Sequence, residues 1–597
     1  MIPYRVAFLF LAFCLGLQSG VADPCPIDVS TLPFSHYGSY MALLSSPDEN
    51  GKTRLYVTDI SGNRLWADNR VMAIELTRGS SSLDYSINAD SSRLLLKCEA
   101  GSAEIAFESA DILRFRTHGP GLRLKMISND PNSMVIPVNP SYWRIQMGSN
   151  AHYVFGLIQG KAAVSGPSSV VNPEAEFHQR KVDMLVDATP DGNGALEASI
   201  EQNAGAWTPV RDVPGFDACV RASRADLDAW AALMPSVPPK YATLAKVAAY
   251  QTWSAVVQPR GLFHHAIMLS SKNALRGVWS WDHCFHAWLA AESQPDFAWD
   301  QMNCVFEYQD PKGFLPDAIT DRMAIWGYVK PPIHGWVLRK MIAANPMIGT
   351  AERLAAFYPE LERWTNYWMR YNNDSRDGIP QYNHGNDSGM DNSTAFDMGF
   401  PAQSPDLCAY LVLQMEMLSE IDRKLGRKEA SVRWERESEA LLARMIKELW
   451  DGEKFVARQE NSHRTNPQSQ SVMRYLPLVL GKRLPPAIRQ KMIADLKSEQ
   501  GPLTRIGLAT ENPHGPLYRS DGYWRGPVWA PTTLIVLDGL RECGEEALAV
   551  DLARRYCDAC LASGFSENFD ALTGQPLRDK TVTWTTATFI ILAHEYL

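Results

Sequence analysis

The chain has 597 residues, a formal net charge of −9, and a composition that is 45% apolar and 21% charged. This length exceeds what one hydrophobic core normally serves, so we expect two or three domains. The negative charge disfavours a nucleic-acid or anionic-membrane partner, and the apolar fraction is that of an ordinary globular enzyme.

Residues 1–22 have the three-part pattern of a secretory signal peptide. Arg5 supplies the positive charge, residues 6–17 form an apolar run, and a small-residue stretch ends at Ala22. The run is shorter than a bilayer span needs, and no later stretch is long and apolar enough to cross one. The sequence therefore predicts a secreted or periplasmic protein with no membrane partner after cleavage, and it leaves the oligomeric state open.

Residues 23–215 are predicted to form an N-terminal antiparallel β-sandwich. Segments such as 53–60, 70–78 and 102–119 carry short alternating apolar runs that Gly, Ser, Asn and Asp interrupt. This region holds no cluster of carboxylates and aromatic residues, so we expect a structural or accessory domain. Residues 216–240, whose last part belongs to the stretch MPSVPPKY (234–241), are predicted to be a linker.

Residues 241–597 have helical periodicity and are predicted to form the catalytic domain. Eleven helical segments are expected, at 242–258, 280–293, 297–309, 333–344, 350–371, 404–424, 427–449, 485–498, 528–541, 545–563 and 582–596. Loops rich in Gly, Pro, Asn and Trp separate them. This alternation favours an (α/α)6 toroid, and the fold class expected for the chain is mainly α, with the β-sandwich attached.

Four loops place polar and aromatic residues where a helix begins. They are RGVWSWDHCFHAWLAA (276–291), HGNDSGMDNSTAFD (384–397), SDGYWRGPVWAPTTLIVLDGL (520–540) and FSENFDALTGQP (565–576). The second loop is too rich in Asn, Asp and Gly to build a core, because these residues favour turns and caps. It is either an ordinary solvated turn or a loop that positions carboxylates for chemistry.

These motifs, in this order, resemble glycoside hydrolase family 63, which includes bacterial α-glucosidases, mannosylglycerate hydrolases and processing α-glucosidase I. They resemble the trehalases more distantly. The resemblance covers about residues 240–597 and implies an (α/α)6 barrel that hydrolyses α-glycosides with inversion. It places the general acid on Asp391 and the general base on Glu567. Many members have Glu where this chain has Asp387, which affects the shape of the sugar subsite.

The chemistry of inversion agrees with such a pair of residues. One carboxylic acid protonates the leaving oxygen, and a second, ionised carboxylate activates water on the opposite face of the sugar. A closed ring of helices would bring Asp391 and Glu567 to one funnel, although they are distant in sequence. The alternative for each is an ordinary turn residue.

Further residues of these loops are candidates for sugar binding. Carboxylate, guanidinium and amide groups bind vicinal hydroxyls, and an indole ring stacks on a sugar face. We expect only some of the indoles to touch substrate, because a Trp-rich core would also use them. The candidates are Trp279, Trp281, Asp282, Trp336, His384, Asn386, Asp387, Asn392, Trp524, Arg525, Trp529 and Trp584.

No cofactor or metal is predicted. Cys557 and Cys560 form a CxxC pair, but no second Cys/His pair has zinc-site spacing. A structural calcium ion is considered only for the Asx-rich stretch 372–384. Counted from Asn373, its twelfth position is His384, where an EF-hand loop has Glu.

The leading hypothesis is an exported, exo-acting α-glycosidase, in particular an α-glucosidase for short α-glucosides or oligosaccharides. The alternative on the same fold is a mannosylglycerate or glucosylglycerate hydrolase, for which Arg322 and Lys330 are candidate partners of the glycerate carboxylate. A lyase or epimerase with a His or Tyr base, and a non-catalytic sugar-binding protein, are the non-hydrolytic alternatives.

Overall fold

The computed structural model describes residues 25–62, 68–128, 130, 132–147, 151–167, 183–203, 205–209 and 212–597. The predicted signal peptide lies outside the described residues. Between residues 26 and 203 the described chain forms β1 (Pro26–Ile27), β2 (Phe34–Ser35), β3 (Met41–Pro47), β4 (Thr53–Asp59), β5 (Arg70–Arg78), β6 (Ser81–Leu83), β7 (Ser86–Asp90), β8 (Leu94–Cys98), β9 (Gly101–Ser109), β10 (Ile112–His118), β11 (Gly121–Met126), β12 (Met134–Asn139), β13 (Tyr142–Met147), β14 (Ala151–Gln159), β15 (Lys161–Ser165), β16 (Leu185–Thr189) and β17 (Ala195–Asn203).

These strands form two antiparallel sheets with one core between them. The first has the order β1-β7-β8-β9-β10-β17-β14-β13-β12, and the second has the order β15-β16-β11-β5-β4-β3-β2, with β6 paired to β5. Strand β17 shows why the sequence forms this layer. Its alternate residues Leu196, Ala198, Ile200 and Gln202 are buried and the residues between them are half-buried, as a strand with one face on a core requires.

The helices are α1 (Phe216–Ala231), α2 (Ala242–Ala255), α3 (Asp282–Ala290), α4 (Pro295–Asn303), α5 (His334–Ala344), α6 (Ala351–Tyr371), α7 (Pro405–Lys424), α8 (Lys428–Leu449), α9 (Pro486–Leu496), α10 (Ala530–Glu542), α11 (Glu546–Ser563) and α12 (Thr583–Glu595). All eleven predicted helices are present. The largest difference is in the segment 297–309, where α4 ends at Asn303 and a short 3-10 helix, Phe306–Tyr308, follows.

One expectation needs correction. The expected linker, residues 216–240, begins with α1, which packs against strand β9. Phe216, Ser223, Leu227 and Trp230 are buried at helical spacing, so only the end of the segment, which is rich in proline, lies outside this helix. The expected fold class, a toroid of helices with a β-sandwich attached, is confirmed, and the sandwich contributes a full two-sheet layer beside the helices.

Six inner segments close into a ring. Helix α3 packs on α5, α5 on α7, α7 on the 3-10 segment Leu476–Arg483, that segment on α10, α10 on α12, and α12 back on α3. Other helices pack outside this ring, for example α2 on α12, α8 on α7 and α11 on α10. This arrangement is the (α/α)6 toroid that the sequence predicts, with a 3-10 segment as one inner member. No helix in the described part of the chain is both long and apolar enough to span a bilayer.

Candidate active site

The candidate residues converge because they lie in the loops that precede inner helices. Asp282 is the first residue of α3, Lys330 precedes α5, Asp391 precedes α7, Tyr523 precedes α10 and Glu567 precedes α12. The N-terminal ends of these inner helices therefore meet at one face of the ring. Their exposed N–H groups and dipoles favour negative charge there.

The loop that carries Asp391 owes its composition to its geometry. The Asp387 carboxylate accepts the backbone N–H groups of Asn383 and His384, both at 2.9 Å, and of Val329 at 3.2 Å. A Cβ at position 385 would lie 1.8 Å from the Asp391 carbonyl oxygen, so only glycine fits. Asp387 was predicted to bind sugar, and that role stays a prediction. Its oxygens hold the backbone of this loop to the segment before α5.

Asp391, Tyr523 and Glu567 form a half-buried group, which we name the rim. The Tyr523 hydroxyl is hydrogen-bonded to Asp391, and Tyr523 has a φ of +65°, a strained value for a residue with a bulky side chain. Burial raises the pKa of Asp391, and Asp317 raises it further, while Lys330, the Tyr523 hydroxyl and His384 lower it. The charges of Asp391 and Glu567 both raise the pKa of Tyr523, and the charge of Asp391 raises the pKa of Glu567, so the two carboxyl groups lie within electrostatic range of each other.

Glu567 is held by Asp579, and the two residues flank the short antiparallel strands Asn568–Phe569 and Pro576–Leu577. The Glu567 N–H donates to the Asp579 carbonyl oxygen at 2.7 Å, and the Asp579 N–H donates to Glu567 Oε2 at 3.4 Å. Burial raises the pKa of Glu567 to about 7. The backbone hydrogen bond of Asp579 and the charge of Arg578 lower this pKa, while the charges of Asp579 and Asp391 raise it.

Below the rim lie three buried charged residues, Asp282, Asp317 and Lys330, which we name the floor. Lys330 Nζ lies 3.1 Å from Asp317 Oδ1 and donates to the Asn386 carbonyl oxygen at 2.9 Å. Burial raises the pKa of Asp282 to about 8, although Lys330 and the Ser270 hydroxyl, 3.1 Å from Asp282 Oδ2, lower it. Burial alone would lower the pKa of Lys330, but Asp317, Asp391 and Asp282 together raise it.

Four tryptophans pack beside the floor in one aromatic cluster. Trp524 and Trp529 are stacked with ring centroids 3.8 Å apart, and Trp281 meets Trp584 edge to face at 5.8 Å. All four are buried, so they support the site from below and do not line an open wall. A Cβ at Gly389 would lie 2.4 Å from the Trp281 ring, which shows how closely the Asp391 loop approaches this cluster.

Three other candidate residues have structural partners. Trp336 is buried in the ring interior, where its Nε1 donates to Asp538 at 2.7 Å and its ring meets Trp288, so it does not join the rim. Arg525 forms an ion pair with Asp397 and donates to the Asn392 carbonyl oxygen at 2.7 Å. The Asn392 side chain holds the Tyr523 loop through Gly522 O and Trp524 N–H, at 3.0 Å each. Trp336, Arg525 and Asn392 therefore have partners within the protein, and their sugar-binding roles stay predictions.

The remaining candidates are His384, Asn386 and Trp279. His384 is exposed and stacks on Tyr328 with centroids 4.4 Å apart, and its charge acts on Asp391. Its Nδ1 accepts the Asn386 N–H at 3.1 Å. Trp279 is largely buried against Ala318 in a small cluster of its own.

The sequence analysis missed Asp317 and Asp579 and did not select Tyr523 as a site residue. Tyr523 stood inside the quoted motif YWRGPVW, so that signal was available. Asp317 lies in PKGFLPDAITD, where nothing local distinguishes a buried carboxylate from a turn residue. Lys330 was considered only as a partner for glycerate, whereas it lies among the floor carboxylates.

The described residues contain no cluster of three or more His, Cys, Asp and Glu suited to a metal ion. In the stretch 372–384, the carboxylates of Asp374 and Asp377 accept hydrogen bonds from Gln381 and Gln403. The nine cysteines that the structure describes are unpaired.

Comparisons with known proteins agree with this geometry. A sequence model described as "Mannosylglycerate hydrolase MGH1-like glycoside hydrolase domain" matches residues 276–585. The mannosylglycerate hydrolases of Thermus thermophilus and Rubrobacter radiotolerans are 24% and 23% identical to this chain, over 52% of this chain and 92% and 89% of their own lengths.

Two solved structures show the same fold. The family 63 mannosylglycerate hydrolase from Thermus thermophilus, in complex with Tris and D-glycerate, has a TM-score of 0.50 at 22% identity, over 59% of this chain and 99% of that chain. A bacterial glucoamylase complexed with acarbose has a TM-score of 0.60 at 11% identity, over 97% of this chain and 96% of that chain. The second likeness extends over both the sandwich and the toroid.

The family model matches just over half of the chain and spans the loops that carry Asp282, Asp391, Tyr523 and Glu567. This protein therefore belongs to the MGH1-like glycoside hydrolases of family 63.

Proposed function

We propose that this protein is an inverting, exo-acting α-glycosidase in which Asp391 is the general acid and Glu567 the general base. The observation that supports the proposal most strongly is that Asp391 and Glu567 lie in loops before two inner helices of one ring, α7 and α12, where both charges raise the pKa of Tyr523. In this reaction Asp391 protonates the leaving oxygen while Glu567 removes a proton from the water that attacks the anomeric carbon.

The charges in the site are compatible with one carboxyl group acting as the acid and the other as the base. The carboxyl groups of Asp282, Asp317 and Asp391 lie around Lys330, and Glu567 acts on Asp282. Burial raises the pKa of Asp282 to about 8 and that of Glu567 to about 7, so the site retains protons near neutral pH. The productive form has the proton on Asp391 and an ionised Glu567, and substrate binding can select this form from the protonation states of the site.

The floor forms the sugar subsite in this proposal. Asp282 and Lys330 offer a buried acceptor and a buried donor, which pair with sugar hydroxyls in directions that the surrounding hydrogen bonds fix. Asp282 keeps the sugar-binding role expected for it from sequence. The tryptophans that pack beside the floor close this end of the site, which favours the end of a sugar chain over its middle and supports exo action.

The leading substrate class is a short α-glucoside or oligosaccharide. The purified protein should be assayed against a panel of α-linked disaccharides and glycosyl glycerates, with the product anomer followed by NMR. We expect β-anomer product at early times, and early α-anomer would contradict inversion. An unsaturated product that absorbs in the ultraviolet would instead indicate a lyase.

A glycosyl glycerate is the second candidate, because the matched relatives are mannosylglycerate hydrolases. The two cations first considered as partners of the glycerate carboxylate do not lie beside the rim. Lys330 is in the floor, and Arg322 lies 3.6 Å from Asp321 on the sandwich side. Arg578 is the better candidate by position, because its guanidinium lies 5.9 Å from the Tyr523 ring centroid and acts on Glu567. Its side chain is 39% exposed and pairs with the exposed Asp521 at 2.7 Å, a partner that a glycerate carboxylate would replace.

D-Glycerate inhibition distinguishes the two substrate classes. If the aglycone is glycerate, D-glycerate should inhibit competitively, and Arg578→Gln should weaken this inhibition by about tenfold, the loss of one charge-assisted contact. Arg519→Gln, a change on the preceding loop, is the matched control and should leave inhibition unchanged. Wild-type protein that D-glycerate does not inhibit would favour the α-glucoside.

Export is part of the proposal. N-terminal sequencing of the protein secreted by a producing cell should give a chain that starts at Asp23, after the predicted signal peptide. An intact Met1 in the mature protein would contradict export by this route.

A further inference from the structure

The sandwich reaches the active site through one buried lysine. Lys272 Nζ donates to three oxygens of the sandwich, Ser39 O at 2.6 Å, Ser35 Oγ at 3.1 Å and His36 O at 3.3 Å. It also donates to Val256 O, directly after α2, at 3.1 Å. The side chain is 4% exposed. Burial lowers the pKa of this amine well below its ordinary value, and in either protonation state the nitrogen is a donor to these oxygens.

Lys272 lies in the turn 270–276, and this turn holds two site carboxyl groups. The Ser270 hydroxyl lies 3.1 Å from Asp282 Oδ2. Ser271 Oγ and Asn273 Nδ2 donate to Asp579 at 2.7 Å and 3.1 Å. The backbone of Asp579 is in turn paired with Glu567, so the turn contacts both the floor and, through Asp579, the rim.

We propose that Lys272 is a positioning residue, through which the N-terminal sandwich sets the orientation of Asp282 and Glu567. This inference rests on the proposed function, because it assigns the two carboxyl groups to catalysis. Lys272 lies outside the residues that the family model matches, and that match omits the sandwich. The mannosylglycerate hydrolases are matched over about nine-tenths of their length by only 52% of this chain, whereas the likeness to the glucoamylase covers 97% of it, including the sandwich.

The physical reason is that acid–base catalysis tolerates only small displacements of the catalytic carboxyl groups. A carboxylate that is misplaced by about 1 Å can lose roughly a hundredfold in rate, because attack requires aligned groups. The turn 270–276 has no helix or long strand to hold it. Four oxygens around one buried nitrogen supply the rigidity that the turn lacks by itself.

The test compares full-length variants on the substrate that the wild type hydrolyses best. Lys272→Met keeps the apolar stem and removes the donor. Tyr250→Phe is the matched control, since the Tyr250 hydroxyl also bonds to Ser35, at its N–H (3.0 Å), but from α2 and not from the turn. We expect Lys272→Met to lower kcat about tenfold or more and Tyr250→Phe to change it less than about twofold, even where both lower Tm.

The pH profile supplies a readout that a loss of stability alone would not move. The charged and titratable groups that face Glu567 are Asp579, Arg578, Asp391, Asp282 and Tyr523. A loosened turn changes the distance from Asp579 to Glu567, so the acidic limb of kcat should shift in Lys272→Met and stay in place in Tyr250→Phe.

A milder variant keeps the proposal testable if Lys272→Met does not fold. Ser35→Ala removes one acceptor of Lys272 within the sandwich, far from the reacting groups, and should lower kcat by about two- to threefold with a smaller shift of the same limb. If the folded variants kept both kcat and the acidic limb of its pH profile unchanged, the inference would be overturned and the proposed function would be unaffected. A wild-type chain that cleaves no glycoside would overturn the proposed function and this inference with it.

Discussion

The rim and the floor both present carboxyl groups to the same funnel, but they differ in burial and in partners. Asp391 and Glu567 are half-buried and open towards the mouth of the ring, whereas Asp282 and Asp317 are buried beside Lys330. Burial raises the pKa of Asp282 to about 8 in spite of Lys330, whereas Asp317 forms an ion pair with this lysine. In the proposed mechanism the more accessible rim exchanges protons with the substrate, while the floor fixes the shape of the site and the directions of its hydrogen bonds.

The largest expected effect comes from removing a rim carboxylate. Asp391→Asn and Glu567→Gln should each lower kcat by about 10²–10⁴-fold, the usual range for general acid–base groups, while the protein stays folded. Steady-state kinetics with circular dichroism measure both properties. Asp296→Asn, a change at an exposed carboxylate that pairs with Arg353, is the control and should be neutral. Near-normal turnover in either rim variant would remove that residue from the mechanism.

The second prediction concerns the cation of the floor. Lys330→Met leaves Asp282, Asp317 and Asp391 without their buried counter-charge, and removing one partner of a buried pair costs about 3–5 kcal/mol of unfolding free energy. Activity should fall as well, since the sugar subsite would reorganise. Chemical denaturation measures the stability of the variant.

Lys340→Met provides the contrast for this prediction. Lys340 pairs with Asp538 in the part of the ring that holds Trp336, away from the rim. The variant should lose stability and keep its kcat. If both lysine variants kept full kcat, the floor would have no part in substrate binding.

The fold was largely accessible from sequence because helices and strands depend on local patterns. The 3.6-residue period predicted the eleven helices of the toroid, and the alternation in segments such as 70–78 predicted the sandwich. Helix α1 was missed because the proline-rich run at its end dominated the interpretation of residues 216–240. One inner member of the ring, the short 3-10 segment Leu476–Arg483, could not be predicted from sequence, because it lacks the 3.6-residue period of an α-helix.

The site was accessible only in part, for a physical reason. Asp391 and Glu567 stand in long motifs, so pattern and resemblance select them together. The functions of Asp387 and Asn392 depend on which backbone groups they meet, and those partners follow from the three-dimensional path of the loops. Asp317 has its partner Lys330 thirteen residues away across a turn, and no spacing rule applies there.

A smaller effect is expected in the pH dependence of stability, through Asp282. Its pKa is about 8 in the folded protein, compared with an ordinary value of 3.8, so the folded state binds the proton more tightly than the unfolded state. The contribution of Asp282 to stability is therefore highest below pH 4 and falls as the pH rises from about 4 to 8. Asp282→Asn should make the free energy of unfolding depend less on pH, and the variant should be more stable than the wild type by about 1–3 kcal/mol at pH 8. Chemical denaturation from pH 5 to 8.5 measures this difference. If the free energy of unfolding changed with pH equally in the two proteins, the raised pKa of Asp282 would be contradicted.

The smallest expected effect tests how the rim is tuned. The Tyr523 hydroxyl favours the ionised form of Asp391, so Tyr523→Phe should raise the pKa of that carboxyl group. Because the general acid must hold its proton, activity should persist to higher pH, and the alkaline limb of kcat should move up by about 0.5–1 unit, equivalent to one hydrogen bond. The acidic limb depends on Glu567, whose pKa is about 7, and it should move less. A pH–rate profile in which the alkaline limb stays fixed while the acidic limb moves would exchange the roles of the two carboxyl groups, since the hydroxyl would then tune the base and not the acid.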